Sequence, residues 1–424
     1  MDTPSVNPHP KRSVGFLLGM TSLMFGANFA WVSYSSILLL PLVEKVVPPA
    51  RSSLSVGIIA FVANLVGILV SLISGILSDH GTNRLGRRTP SILIGTLIGF
   101  PVIACAAIFH LSLPVIIASY VGMYIFTNIA NGAWWPLLVD AVPEDQRGLA
   151  SGLQGFFTLL AAAASFVVAT YLNEINRPDL ALIMMAATFA VTGIICGGTI
   201  RQADRPVAAT IPISLPKVLK GMFQVRTRVA VFFWIVFCAF LVNMGLNSLQ
   251  YFARDFLGIY FNQADPDAAL RLVGLINLVL IMLSAVGTGL LSDRIGRLEL
   301  IVAGAVISAV MTFVMAFSRN FMLFIVLTCL RAIATGPIMA VIPALASSLA
   351  PPGEAGQYMA YNNLTTALPS ALAPLLFGSI LNFKGASTPA SFVLLLWVSA
   401  GFYLLGGIVF AWKVPGRQFG VHTQ

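Results

Sequence analysis

The chain reads as an all-α membrane protein, with twelve transmembrane helices in two pseudo-symmetric six-helix bundles. Three observations predict this. The 424 residues are 58% hydrophobic and only 9% charged, whereas a soluble domain carries about 25% charged residues. Apolar runs long enough to cross a bilayer, which takes ~20 residues in a helix, recur twelve times. A short polar sequence closes the second run of each half. Alternating strand patterns of the barrel type do not occur, and helices satisfy their own backbone in lipid.

The N-terminal half gives spans at roughly 14–40, 54–78, 89–109, 113–140, 149–172 and 179–200. The first run is too long for the core of a cleavable signal peptide and has no clear cleavage site after it, so it reads as a helix. The C-terminal half gives spans at roughly 229–256, 268–292, 298–317, 320–349, 356–382 and 389–413. The domain expectation is a tail over 1–13, a bundle over 14–200, a linker over 201–228, a second bundle over 229–413 and a tail over 414–424. The linker is basic, as expected of a segment lying on an inner leaflet.

The net charge of +9 would suit a nucleic-acid partner, but the cations cluster in short loops between apolar runs. No nucleic acid is expected. With the N-terminus inside, cytoplasmic segments hold sixteen Lys and Arg and the opposite side holds seven. Both termini are therefore expected in the cytoplasm of a multi-pass plasma (inner) membrane protein. The remaining cation, Arg331, falls inside the tenth span. The four cysteines each sit in an apolar run without metal-type spacing and read as small packing residues. No metal site and no cofactor is expected.

The closing sequences are Gly75-Ile76-Leu77-Ser78-Asp79 with Gly86-Arg87-Arg88, and Gly289-Leu290-Leu291-Ser292-Asp293 with Gly296-Arg297. The same signal at matching places in two halves points to a transporter-type repeat. These segments resemble the signature loop of the major facilitator superfamily. The resemblance implies alternating access, in which two six-helix bundles rock about a central site. It also implies that Asp79, Arg87, Arg88, Asp293 and Arg297 take part in gating. Asp140 and Arg147, in and just after Asp140 … Pro143-Glu144-Asp145-Gln146-Arg147, are assigned to the same inner gate. The long first loop, from Asp79 to Pro90, is similar to that of sucrose and glycoside–pentoside–hexuronide:cation symporters. Pro343-Ala344-Leu345-Ala346-Ser347, Gly356-Gln357-Tyr358 and Asn362-Asn363-Leu364 point the same way. The paired aspartates of sodium-coupled members are missing from the second span, where the first acid is Asp79.

By the same resemblance the first, fourth, seventh and tenth helices line the central cavity. A polar side chain at bilayer depth is costly and faces the bundle interior. Asn28, Asn128, Asn243 and Arg331 lie near the midpoints of those four helices. Helical spacing adds Trp31 and Tyr34 beside Asn28, Asn131 and Trp135 beside Asn128, and Asn247 and Gln250 beyond Asn243, with Arg254 next on that stripe. Amides interleaved with Trp and Tyr suit a polyhydroxylated ligand with one apolar face. The alternative is that the amides join neighbouring helices. No acid lies near any midplane, so the coupling proton, if one is carried, has Asp140, Glu44 and Asp255 as its nearest groups.

No phosphate-binding loop, paired metal ligands or nucleophile–His–acid arrangement occurs, so no enzyme is expected. The expected function is a monomeric secondary active transporter of a small polar solute, a sugar or glycoside, in the lipid bilayer. Small organic anions drawn by Arg331, or efflux of amphipathic drugs or pigment-like molecules, are the alternatives.

Overall fold

The computed structural model describes residues 11–79, 85–109, 111–201, 230–295, 297–348, 355–383 and 387–414. Twelve long helices run through them. We label these α1 (Val14–Val32), α2 (Pro49–Asp79), α3 (Thr89–Ile108), α4 (Leu113–Trp134), α5 (Arg147–Glu174) and α6 (Pro178–Ile200). The second six are α7 (Ala230–Leu246), α8 (Pro266–Ile295), α9 (Arg297–Met315), α10 (Phe321–Ser348), α11 (Ala355–Asn382) and α12 (Pro389–Lys413). Eleven spans are long and apolar enough to cross a membrane, and Val231–Leu246 adds a shorter apolar helix. Their outward faces are apolar: Leu69, Ile98, Val191, Leu283 and Ile408 are all exposed. In water such faces would be costly, and in hydrocarbon they are matched.

The chain divides into two units, Met1–Val46 with Val62–Thr210, and Val47–Phe61 with Ile211–Gln424. The first stretch of α2 thus groups with the second unit. Within the first unit α1 packs on α5 and α6, and α3 packs on α4 and α6. Within the second, α7 packs on α11 and α12, and α9 packs on α10 and α12. Every one of these pairs repeats with the helix number raised by six, which is the repeat of the sequence written in packing.

The repeat reaches individual atoms. In the first unit Ser74 Oγ of α2 donates to the Ile129 carbonyl of α4 at 2.7 Å. In the second unit Ser284 Oγ of α8 donates to the Ile333 carbonyl of α10 at 2.5 Å. Each fourth helix also carries a glycine at the contact. A Cβ at Gly132 would stand 2.7 Å from the Ser71 carbonyl oxygen, and one at Gly336 would stand 2.8 Å from the Ala285 nitrogen. Without a hydrophobic drive between helices in lipid, such small-residue contacts and interhelical hydrogen bonds hold the pairs.

Three spans depart from the expected bounds, each for a local reason. α4 stops at Trp134 rather than 140, with residues 135–136 in a turn before a short helix Leu137–Asp140. Pro136 removes a backbone donor there. α1 continues past 40 to Glu44, through a π-helical segment Ser33–Leu38 and a helix Leu39–Glu44. α7 ends at Leu246 instead of reaching 256, and residues 247–252 are in turns before Ala253–Asp255 and a π-helical segment Phe256–Tyr260. Asn247 and Ser248 follow Gly245 at that break, and short polar side chains compete with helical backbone bonding.

Gly132→Val should force α2 and α4 apart and cost about 1–3 kcal/mol, the range for overpacking a tight contact. The check is the thermal unfolding midpoint in detergent, and a midpoint equal to wild type would contradict the close approach.

Candidate functional site

In the first unit the polar positions of α1 and α4 meet. Trp31 Nε1 donates to the Tyr124 hydroxyl at 2.8 Å. Ser35 Oγ and the Tyr120 hydroxyl are 2.9 Å apart, and Tyr120 continues to Tyr124 at 3.5 Å. Tyr34 stands edge-on to Tyr120 with ring centroids 5.0 Å apart and is fully buried. Asn28, Trp31, Asn128 and Asn131 are half-buried, while Trp135 is exposed. Asn131 Oδ1 is buried with no hydrogen-bond partner among the described residues. Tyr120 is a member that sequence reasoning missed, although it lies one helical turn before Tyr124 on the same face.

The amides share one habit. Asn28 Nδ2 donates to the Met24 carbonyl, Asn128 Nδ2 to Tyr124, Asn243 Nδ2 to Ala239 and Asn247 Nδ2 to Asn243, each at 2.8 Å. Each nitrogen is turned onto the carbonyl one turn back on its own chain segment, which removes a donor from solution. The amide oxygens of these four make no hydrogen bond to a described residue. Each of the four positions therefore presents its amide oxygen as an acceptor and keeps one N–H of its nitrogen as a donor.

In the second unit Asn243 is buried and Asn247 and Gln250 are half-buried. Because α7 ends at Leu246, Gln250 and Arg254 do not extend the Asn243–Asn247 stripe by helical spacing. Arg254 instead bonds Asp267 at 3.3 Å and lies 3.7 Å from Asp255. Both carboxylates are buried. Arg331 is half-buried on α10, next to the fully buried Tyr403 of α12. Tyr403 carries no sequence signal: it stands alone in an apolar run, on a helix outside the four that the resemblance singles out.

Charged groups gather where the first unit carries its α2–α3 and α4–α5 loops. Arg87 and Arg88 both bond the Asp140 carboxylate, Arg88 at 2.6 Å. Gly86 holds the turn before them at φ 113, a left-handed value that a side chain resists. Arg88 is 2% exposed, and the Asp140 side chain is 43% exposed. Arg147 pairs with Glu144 at 3.4 Å. The N-terminal segment joins the network: Arg12 Nε donates to the Ala141 carbonyl at 2.9 Å, and the Arg12 backbone N donates to Gln146 Oε1 at 2.7 Å. The side chains of Asp79, Asp293 and Arg297 lie outside those described. No group of three or more His, Cys, Asp or Glu able to hold a metal occurs among the described residues.

Residues 13–287 and 256–424 match the Major Facilitator Superfamily. Among curated relatives, a probable galactarate/D-glucarate transporter, GarP, of Escherichia coli K12 is 26% identical over 151 residues, 34% of this chain and 33% of its own. A general alpha-glucoside permease of Schizosaccharomyces pombe is 29% identical over 164 residues, 34% of this chain and 28% of its own. A proton-associated sugar transporter A of Mus musculus is 30% identical over 130 residues, 31% of this chain and 16% of its own. Each match spans a third or less of the relative. Among solved structures, a peptide transporter POT matches with a TM-score of 0.78 at 12% identity, over 97% of this chain and 98% of its own. A D-xylose-proton symporter matches at 0.70 and 16% identity, over 96% of this chain and 99% of its own. These likenesses establish a shared fold.

Asp140→Asn removes the charge shared by Arg87 and Arg88 and should weaken their network by about 1–2 kcal/mol, discounted because the carboxylate is half-exposed. Transport in proteoliposomes should slow by about tenfold while half-saturation stays near wild type. Full-rate transport by this variant would remove the network from the cycle.

Proposed function

We propose that this chain, which belongs to the major facilitator superfamily, is a proton-coupled secondary transporter that moves a small polar solute of the sugar class by alternating access. The observation that carries this reading is the common orientation of Asn28, Asn128, Asn243 and Asn247, each with its nitrogen bonded to its own chain segment. Sugar hydroxyls donate to such oxygens and accept from the second N–H that each amide keeps. Trp31, held by Tyr124, offers the flat apolar partner that a sugar C–H face needs. Asn131, Trp135, Gln250 and Arg331 are further proposed contacts, and Tyr34 packs edge-on against Tyr120.

The reading fits the names of the relatives, which carry a glucoside, sugars and sugar acids. Coupling to protons is supported by the proton-associated sugar transporter and by the proton symporter that shares the fold. The Arg87–Arg88–Asp140 cluster serves as the inner gate, joined by Arg147. Asp79, Asp293 and Arg297 are assigned to the same role from their loop sequences. The excess of loop cations on one side supports cytoplasmic termini in a plasma (inner) membrane. One complete pair of repeats in a single chain supports a working monomer.

The test is uptake into proteoliposomes of labelled disaccharides, glycosides and small carboxylates, with and without an inward proton gradient. Sugar uptake that accumulates above equilibrium only with the gradient is the expected result. Uptake of amphipathic drugs with no uptake of any sugar or sugar acid would overturn the substrate class. Equal uptake without a gradient would overturn the coupling.

A further inference from the structure

Arg331 sits about 15 Å along α10 from Phe321, at 1.5 Å per residue, close to half of a hydrocarbon core ~30 Å thick. A charge at that depth is costly and requires a partner. α7, α10, α11 and α12 contain no Asp or Glu. The guanidinium instead lies beside the Tyr403 hydroxyl. Arg331 Nε and Tyr403 Oη are both buried, and neither has a hydrogen-bond partner among the described residues. Thr328 Oγ1, one turn before Arg331 on α10, is buried and unpartnered as well.

The tyrosine is held in place. The Tyr403 ring lies over Gly245 of α7, where a Cβ would come within 2.8 Å of ring carbons. One turn earlier on α12, Ser399 Oγ donates to the Gly245 carbonyl at 3.1 Å and lies 3.0 Å from Ser248 Oγ. These bonds fix α12 against the point where α7 breaks. Arg331 Nε–H and the Tyr403 O–H are both donors, and although the tyrosine oxygen can also accept, it cannot neutralise the guanidinium charge. A carboxylate answers both needs, because it neutralises the charge and its two oxygens accept from two donors.

We propose that Arg331 and Tyr403 form a carboxylate-recognition subsite, so that the transported solute is a sugar acid. Its hydroxyls are the donors that the Asn243 and Asn247 amide oxygens accept. The proposal rests on the sugar reading above and narrows it.

The experiment measures binding to the purified full-length protein at pH 7, using neutral sugars matched with their acids: glucose with glucuronate, and galactose with galacturonate and galactarate. Glucose 6-phosphate is a further probe. Wild type should bind an acid about tenfold or more tightly than its neutral partner, the size expected for charge-assisted hydrogen bonds. Arg331→Gln should abolish that ratio, weakening the acid far more than its neutral partner. Tyr403→Phe, which deletes a single oxygen, should reduce the same ratio, and it carries the test if Arg331→Gln is not recovered folded. A neutral sugar bound as tightly as its acid overturns the carboxylate subsite and leaves the sugar reading standing. So does a preference for the phosphate, or an acid preference that survives the substitutions. Binding of no sugar and no sugar acid overturns both readings together.

Discussion

Hydrocarbon offers no hydrogen bonds, and that constraint orders the rest of this structure. Every backbone group and every polar side chain within a span has to find its partner inside the protein. The solution seen repeatedly is local. Thr21 bonds the Leu17 carbonyl at 2.7 Å, Thr127 bonds Met123 at 2.6 Å, and the four asparagines do the same with their nitrogens. Local satisfaction has a consequence that helix-bridging bonds would not have. It leaves an amide's oxygen uncommitted and points the residue's remaining capacity away from its own backbone.

The same constraint gives meaning to the places where the helical ladder is interrupted. α1 passes through a π-helical segment at Ser33–Leu38, and α7 gives way to turns at 247–252. These are the first helices of the two repeats, and both interruptions follow the midplane asparagine. Irregular backbone at membrane depth survives only where protein groups re-satisfy it. In the second unit those groups are visible: Ser399 takes the Gly245 carbonyl, and Ser248 is its neighbour. The asparagine positions therefore lie beside local backbone deformations that recur in both halves.

Much of this was legible from the residues alone. Long apolar runs fixed the number of spans, because the length needed to cross lipid is set by geometry. The twin Gly-x-x-Ser-Asp endings revealed the repeat, which reappears as paired serine and glycine contacts between α2 and α4 and between α8 and α10. What stayed hidden depends on tertiary proximity. The loop arginines could be read as carboxylate-seeking, but their meeting with Asp140 joins positions 52 and 53 residues apart in sequence, and no periodicity reports that. The α7 break was missed because Tyr251, Phe252 and Leu249 keep the hydropathy high through it. Composition measures how well side chains suit lipid, and it does not report whether the backbone that carries them is helical.

Tyr403 shows where periodicity stops being informative. A lone tyrosine in an apolar helix is ordinarily a packing residue, and its ring does pack, against Gly245 and within the core of α7, α9, α10 and α12. Its hydroxyl decides the matter. A buried hydroxyl without a partner costs about 1–3 kcal/mol, and phenylalanine would fill the same space without that cost. Beside an equally unpartnered arginine nitrogen, the penalty falls on two donors that face a common need. A buried arginine nitrogen and a buried tyrosine hydroxyl without partners, the tyrosine packed against Gly245, are destabilising as structure and intelligible as recognition.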